Sequence, residues 1–190
     1  MPSSMLHLIV AKKVNLNADI DFYIGNLAPD ANRERAKRDK VHFENAPDME
    51  TALKEFALKA DNDYLKGFLL HLYVDWKWKT KHLTDFINKT GEGWHPKYTD
   101  EISQISAYAF HNTEWAYELW EQMDLCDTFD YVEMPFIAKE NINEFICRNK
   151  KWHIENKLEP STEFPPALVE KFANDTADDF TKWFVDLKSQ

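Results

Sequence analysis

The sequence predicts an all-α protein, a multi-helix bundle that forms a single domain over residues 1–190. Hydrophobic residues make up 44% of the chain and aromatic residues 14%, which is enough apolar surface for a well-filled core. Only four glycines occur, whereas sheet proteins with many tight turns usually need more. No linker is visible in the sequence, and a chain of 190 residues is short enough to fold around a single hydrophobic core.

Charge and cysteine content restrict the partners and the compartment. The formal net charge of -10 at pH 7 disfavours binding to nucleic acid or to an anionic membrane surface. Cys126 and Cys147 lie far apart without a CxxC spacing, so neither a disulfide scaffold nor a thiolate zinc site is expected. The apolar patch near the N-terminus is too short for a membrane span and lacks the basic segment of a signal peptide. We therefore expect a cytoplasmic protein with no nucleic-acid partner and no integral membrane association, and the oligomeric state stays open.

The first helix is predicted from its cap and its apolar spacing. Ser3 or Ser4 can cap a helix that runs to about Val14. His7 shares the apolar face of this helix with its aliphatic residues. The spacing therefore directs His7 inward.

The next segments end at two polar junctions. A helix is predicted over Ile20–Leu27, and it stops before Asp30 because the residue that precedes a proline avoids helical geometry. The charged run Arg33–Lys40 could attract an anionic substrate, although a solvated helix face is the more common explanation. His42 marks the return of the chain to apolar surroundings, and an amphipathic helix follows over Asp48–Lys59.

A long helix is predicted over Asp63–Asn88, and it carries the most informative pattern in the chain. His71, Asp75 and His82 recur on its buried stripe at helical spacing, among aromatic residues. Gly91 ends the helix.

The second half of the chain contains further helices. One is predicted over Thr99–Met123, with His111 and Glu114 one turn apart, and a break is predicted at Pro135. Two more amphipathic helices are predicted at Ile142–Trp152 and Pro166–Leu187.

Five polar residues at inward or junction positions predict a metal site. An uncompensated buried charge costs roughly several kcal/mol, and a metal ion is one partner that removes this cost. His71 and Asp75 lie one helical turn apart and can bind one ion or two neighbouring ions. An HxxxD pair alone is common by chance. His7, Asp30 and His42 add nitrogen and oxygen ligands of the type that zinc accepts, and each was placed by a separate argument.

Three other residues are candidate ligands. His82 continues the stripe of His71 and Asp75, although a core histidine with backbone hydrogen bonds is an equal interpretation. His111 and Glu114 could complete the set from another helix. An exposed pair at this spacing is an equally simple explanation.

Four segments of the first half of the chain, in a specific order, carry a family resemblance. They are His7–Lys13, Phe22–Asp30, Val41–Phe43 and Phe68–Asp75. Together they resemble the zinc-dependent phospholipase C family, and more closely its small bacterial relatives without secretion signals.

The resemblance implies a fold, a metal centre and an activity. It implies the helical zinc phospholipase C fold and hydrolysis of a phosphodiester by metal-activated water. In the family the aspartate that matches Asp30 is thought to help activate this water. The matching positions that bind the family's zinc cluster are His7, Asp30, His42, His71 and Asp75.

The second half departs from the family's ligand pattern. His82 follows Asp75 by seven residues, whereas the secreted enzymes have a histidine six residues after this aspartate. Their last ligand pair is a histidine and a glutamate four residues apart, whereas Glu114 comes three residues after His111. One or two zinc ions are therefore expected rather than three.

The predicted function is metal-dependent hydrolysis of a small-molecule or lipid phosphoester. Metal ions lower the pKa of water towards neutrality and hold a phosphate oxygen. Trp76 and Trp94 could hold an acyl chain or a choline-like head group, although contacts between helices explain such aromatics more often. The alternative is a non-catalytic, metal-stabilised scaffold or binding module, whose ions would be fully ligated. A site that faces a cleft would favour the enzyme.

Two other classes of helical metal protein are disfavoured. An HD-type phosphohydrolase needs an adjacent His-Asp pair, and the sequence contains none. A ferritin-like di-iron protein needs two helical ExxH motifs. The only ExxH motif spans Glu92 to His95, in a segment marked by glycine and proline.

Overall fold

The regular structure of the chain is helical, which confirms the all-α prediction. A computed structural model describes residues 2–15, 17–126, 128–129, 131–132, 134 and 136–189. Within these ranges the only β-structure is an isolated bridge between Met134 and Ile137, and no helix is long and apolar enough to cross a membrane. The helices are α1 Ser4–Val14, α2 Ile20–Leu27, α3 Arg35–Val41, α4 Met49–Ala57, α5 Asp63–Trp78, α6 Thr84–Thr90, α7 Trp94–Asn112, α8 Ala116–Asp124, α9 Lys139–Glu155 and α10 Pro166–Lys188.

The sequence predicted the helices of the first half of the chain closely. Ser3 caps α1, where its hydroxyl accepts a hydrogen bond from the backbone N–H of Leu6 at 3.2 Å. Helix α2 has the predicted bounds, and a 3-10 turn over Ala28–Ala31 follows it and holds Asp30. The charged run after this turn forms the short helix α3.

Two predicted helices differ from the structure. The helix that was predicted around His71 is not α-helical throughout. A π-helical turn over Lys79–Leu83 joins α5 to α6 without an intervening loop. The predicted helix Thr99–Met123 is wrong as a single element, because Thr113 is extended and separates α7 from α8. Helix α7 also begins earlier, at Trp94, since a proline in the first turn disturbs no helical hydrogen bond. Pro135 lies outside the described residues.

Helix α5 lies at the centre of one hydrophobic core. It packs on α2, α4, α1 and α10, and most of its residues are buried. Helix α1 lies against α10, α7 and α2, so it is also enclosed. The predicted ligands on these two helices are therefore held by the best-packed part of the chain.

Helices α2 and α5 are in direct backbone contact. A Cβ atom on Gly25 would lie 2.0 Å from the carbonyl oxygen of Tyr64, and one on Gly67 would lie 1.9 Å from that of Phe22. Asn26, next to Gly25, donates from its side chain to the carbonyl of Gly67 at 3.2 Å. Only glycine permits such close packing of two backbones, and it places the backbone of α2 beside the face of α5 that holds the candidate metal ligands.

We expect Gly67→Ala to destabilise the protein by about 3 kcal/mol or more, because the new methyl group meets backbone that cannot move independently. Chemical denaturation measures this loss. Gly93→Ala is the control, since Gly93 has open space around it and a φ of 78°, where alanine costs about 1 kcal/mol. Equal losses in the two variants would contradict the close approach of α2 and α5.

Candidate metal centre

Four separate segments bring the five predicted ligands together. His7 lies on α1, and Asp30 lies on the 3-10 turn after α2. His42 is the C-cap residue of α3, while His71 and Asp75 lie one turn apart on α5. The five side chains therefore lie together, and their role as metal ligands stays a prediction.

The ligand atoms have the spacing of a coordination shell. The Nε2 atom of His42 lies 3.1 Å from Nε2 of His71, 3.3 Å from Oδ2 of Asp75 and 3.4 Å from Oδ1 of Asp30. His71 Nε2 lies 3.3 Å from the same Oδ2, and His7 Nε2 lies 3.3 Å from Asp75 Oδ1. Two ligands of a tetrahedral zinc ion at ordinary bond lengths are about 3.3 Å apart. The measured separations match this value.

Backbone carbonyl groups fix the tautomers of two histidines. His71 Nδ1 lies 2.7 Å from the carbonyl oxygen of Asn26, and His42 Nδ1 lies 2.8 Å from that of Arg38. A carbonyl oxygen only accepts, so each Nδ1 carries a proton and donates it. Each Nε2 is then free to present its lone pair to the cluster, as in histidine ligands of zinc. Two such lone pairs 3.1 Å apart repel unless a metal ion or a proton lies between them.

The electrostatics of the cluster also call for a cation. Burial favours the neutral acid of Asp30, but the contact with His42 and the charges of His71 and His42 outweigh it and lower the pKa to about 2. Burial likewise raises the pKa of Asp75, but His71 and His7 hold it well below the ordinary value. Both carboxyl groups are therefore ionised.

A proton alone cannot balance these charges. Burial opposes a charge on His42, but the contact with Asp30 and the charges of Asp75 and Asp30 raise its pKa to about 9. Burial, and then the nearby His71, lower the pKa of His7 to about 4. Without metal the proton resides on His42, whose single N–H at Nε2 can serve only one of the three acceptors around it.

The remaining buried atoms of the cluster have no hydrogen-bond partner. Both ring nitrogens of His7 and both carboxylate oxygens of Asp75 have no hydrogen-bond partner among the described residues, although His7 Nε2 lies 3.3 Å from Asp75 Oδ1. Leaving such groups unsatisfied costs about 1–3 kcal/mol each. Imidazole and carboxylate groups in this number suit zinc, so the residues present fit the implied metal.

The ring geometry suits two neighbouring ions. Two overlapping sets of described side chains can each hold an ion: His7, His71 and Asp75, and Asp30, His42 and His71. The rings of His7 and His71 stack with centroids 3.9 Å apart and planes 6° apart. Because an imidazole lone pair lies in the ring plane, two stacked rings direct their lone pairs side by side. The two oxygens of Asp75 face different rings, Oδ1 towards His7 and Oδ2 towards His71.

Asp30 is the open side of the cluster. Its side chain is 20% exposed, against 8% or less for the other four ligands. Asp30 also lines a cleft of 630 Å³, together with Arg38 and Tyr98. A small molecule can therefore reach the cluster from this side.

The structure places the three other candidate ligands elsewhere, and none belongs to either metal-binding set. His82 packs on the rings of Trp78 and Phe172, because the π-helical turn changes the helical phase after Asp75 and interrupts the predicted stripe. His111 is exposed, with its Nε2 3.1 Å from the carbonyl oxygen of Asn156. Glu114 is exposed in the break between α7 and α8, so the helical spacing from His111 does not apply.

A further buried histidine was missed by the sequence prediction. His153 lies on the inner face of α9, where its Nδ1 donates to the carbonyl of Asn149 at 2.7 Å and its Nε2 accepts from the Ser106 hydroxyl at 2.8 Å. Both nitrogens are satisfied, unlike those of His7. Burial lowers the pKa of His153 to about 4, against the opposing effect of the Asn149 carbonyl. The apolar spacing of α9 could have placed this residue in the core.

Comparison with protein-family models, curated proteins and solved structures gives no match to this chain. The resemblance to zinc-dependent phospholipase C therefore rests on the four segments of the first half of the sequence. The geometry of the cluster stands independently of it.

We expect His71→Ala to lose the bound zinc of the wild-type protein, one or two ions per chain, because His71 belongs to both metal-binding sets. The rise in melting temperature on adding zinc should disappear with it. His82→Ala, the matched control, should keep its zinc. Elemental analysis and thermal melting check both variants, and a full zinc content in His71→Ala would contradict the site.

We expect His153 to make the protein less stable in acid. Its pKa is about 4 in the folded state and near 6.5 in the unfolded state, so its contribution is complete above pH 6.5 and is lost as the pH falls towards 4. The loss from pH 7 to pH 5 is about 2 kcal/mol. Denaturation of zinc-free His153→Gln should show a pH dependence shallower by this amount. Parallel curves for the variant and the wild-type protein would contradict the burial of a neutral His153.

Proposed function

We propose that this protein is a zinc-dependent phosphoester hydrolase of the kind that its sequence resembles, the zinc phospholipase C family. One observation carries the proposal: a cluster of three histidines and two aspartates can hold a metal ion and opens to a cleft at one aspartate, Asp30. A purely structural site has no reason to leave one ligand open.

The roles of the residues follow from their surroundings. Either of the two sets described above would hold an ion: His7, His71 and Asp75, or Asp30, His42 and His71. Zinc, when bound, supplies positive charge that polarises a phosphate oxygen and acidifies a water molecule. Asp30 is ionised and reaches solvent, so it can accept the proton that this water loses.

Backbone contacts support the catalytic geometry. The carbonyl groups of Asn26 and Arg38 hold the rings of His71 and His42 at fixed angles. Because both carbonyls belong to helical segments, the rings cannot turn without moving α2 or α3. The ligands are therefore positioned before any metal or substrate binds.

The substrate is a small-molecule or lipid phosphoester. Trp76 and Trp94, which could have held a lipid, are half-buried and contact the rings of Tyr73 and Tyr98. These contacts support a packing role for both tryptophans. A soluble phosphoester is the simpler substrate for the cleft beside Asp30.

A metal-stabilised scaffold or binding module is the second candidate, and the burial of the other four ligands supports it. In this case zinc would raise the melting temperature without producing any hydrolysis. The two candidates therefore differ in activity and not in metal binding.

We expect the zinc-loaded protein to hydrolyse chromogenic phosphoesters, a chelator to abolish the activity, and added zinc to restore it. Asp30→Asn should lower kcat about a hundredfold while at least one zinc stays bound, because proton transfer is lost but the set of His7, His71 and Asp75 remains. Asp61→Asn, at an exposed aspartate outside both metal-binding sets, is the control with the same change of charge.

One result would count against the enzyme and another against the role of Asp30. Bound zinc without hydrolysis of any phosphoester would favour the scaffold. Equal activity of Asp30→Asn and the wild-type protein would remove Asp30 from the chemistry.

A further inference from the structure

Arginine is distributed very unevenly over this molecule. The chain contains four arginines and nineteen lysines. Arg33, Arg38 and Arg148 line the cleft beside Asp30, and none of the lysines does so. The fourth arginine, Arg35, is exposed on α3 and lies 3.8 Å from Asp39. The cleft is therefore lined by arginine, the cationic residue type whose guanidinium group can bind an anion through two hydrogen bonds at once.

The fold, and not the local sequence, brings these three arginines together. Arg33 lies just before α3 and Arg38 lies within it, whereas Arg148 lies on α9, more than a hundred residues further along the chain. The charged run that includes Arg33 and Arg38 is common for a solvated helix face. The arrival of Arg148 at the same cleft is a second, independent observation that a charged run does not explain.

Two of these guanidinium groups have no carboxylate partner in the described part of the chain. Arg33 forms an ion pair with Glu144 at 3.2 Å. No carboxylate of a described residue lies within 4 Å of the charged nitrogens of Arg38 or Arg148, although the chain has 33 acidic residues. Arg148 instead lies over the ring of Phe145, 5.6 Å from its centroid, and Phe145 also lines the cleft. Both charges are free to bind a ligand.

The rest of the lining suits an anion as well. Ser4 contributes a hydroxyl group and Asn149 an amide group, and Asp30 is the only acidic residue among the described residues of the lining. Any cation that binds at the cluster would offset the charge of Asp30. The cleft is therefore positive in a protein whose net charge is -10.

We propose that this cleft binds a phosphate group that carries two negative charges, so that the substrates of the protein are anionic phosphoesters with a phosphomonoester group and not zwitterionic ones. Arg38 and Arg148 bind the phosphate oxygens, and Asp30 lies at the boundary between this group and the metal cluster. The substrate class rests on the proposed hydrolase function, whereas phosphate binding can be tested by itself.

The binding test uses inorganic phosphate and isothermal titration calorimetry, with both zinc-loaded and chelator-treated protein. Arg38→Gln and Arg148→Gln should each bind phosphate about tenfold more weakly, which is the ordinary effect of losing a charge-assisted hydrogen bond. Arg35→Gln removes the same charge from α3 outside the cleft and should bind like the wild-type protein. Circular dichroism melting confirms that each variant is folded.

Binding results separate this inference from the proposed function. Arginine-dependent phosphate binding without hydrolysis would support the anion site and overturn the hydrolase. No phosphate binding by the wild-type protein, unchanged binding in Arg38→Gln and Arg148→Gln, or equal weakening in Arg35→Gln would each overturn the anion site.

The hydrolysis test compares p-nitrophenyl phosphate with p-nitrophenylphosphorylcholine on the zinc-loaded protein. The dianionic monoester should have the higher kcat/KM, and Arg148→Gln should lower it about tenfold for this substrate alone. A preference for the zwitterionic ester, or an equal effect of Arg148→Gln on both substrates, would overturn the substrate class. If neither ester is hydrolysed, the binding results decide the inference.

Discussion

The buried charge of Asp75 is the constraint that organises this molecule. A carboxylate in the middle of a hydrophobic helical bundle is costly unless its surroundings return what water supplied. Three imidazoles surround it: His7 on one oxygen, and His42 and His71 on the other. These rings are themselves short of donors, because two of them direct their N–H groups to backbone carbonyls. A bound cation would balance this arrangement, so the architecture of the core and the chemistry of the site are a single problem.

The contact between α2 and α5 makes this arrangement possible. Gly25 and Gly67 let the two backbones touch, which puts the carbonyl of Asn26 within 2.7 Å of His71. The amide of Asn26 binds the carbonyl of Gly67 in return. A wider separation would leave His71 free to rotate, and its Nε2 would no longer face His42. Helix packing therefore sets the angle of a metal ligand through backbone, without any specialised side chain.

The sequence predicted most of the cluster because each of its members leaves a local signal. His71 and Asp75 stand out as polar residues on a buried helical stripe, and Asp30 follows a helix stop at Pro29. What failed was continuity over longer distances. The π-helical turn shifted His82 away from the stripe, and the break at Thr113 separated Glu114 from the helix of His111. A periodic pattern along one segment contains neither a change of helical phase nor a break in the helix.

The position of Arg148 had no local signal at all. It lies on α9 among lysines and asparagines, and only the fold brings it to the cleft of Asp30. Arg38 connects that cleft to the metal centre in a different way, since its carbonyl orients His42 while its side chain lines the cleft. A movement of α3 would therefore disturb the metal ligand and the anion-binding group together. This coupling gives α3 a role that its charged sequence alone does not indicate. The helix connects the buried cluster of histidines and aspartates to the open cleft beside Asp30.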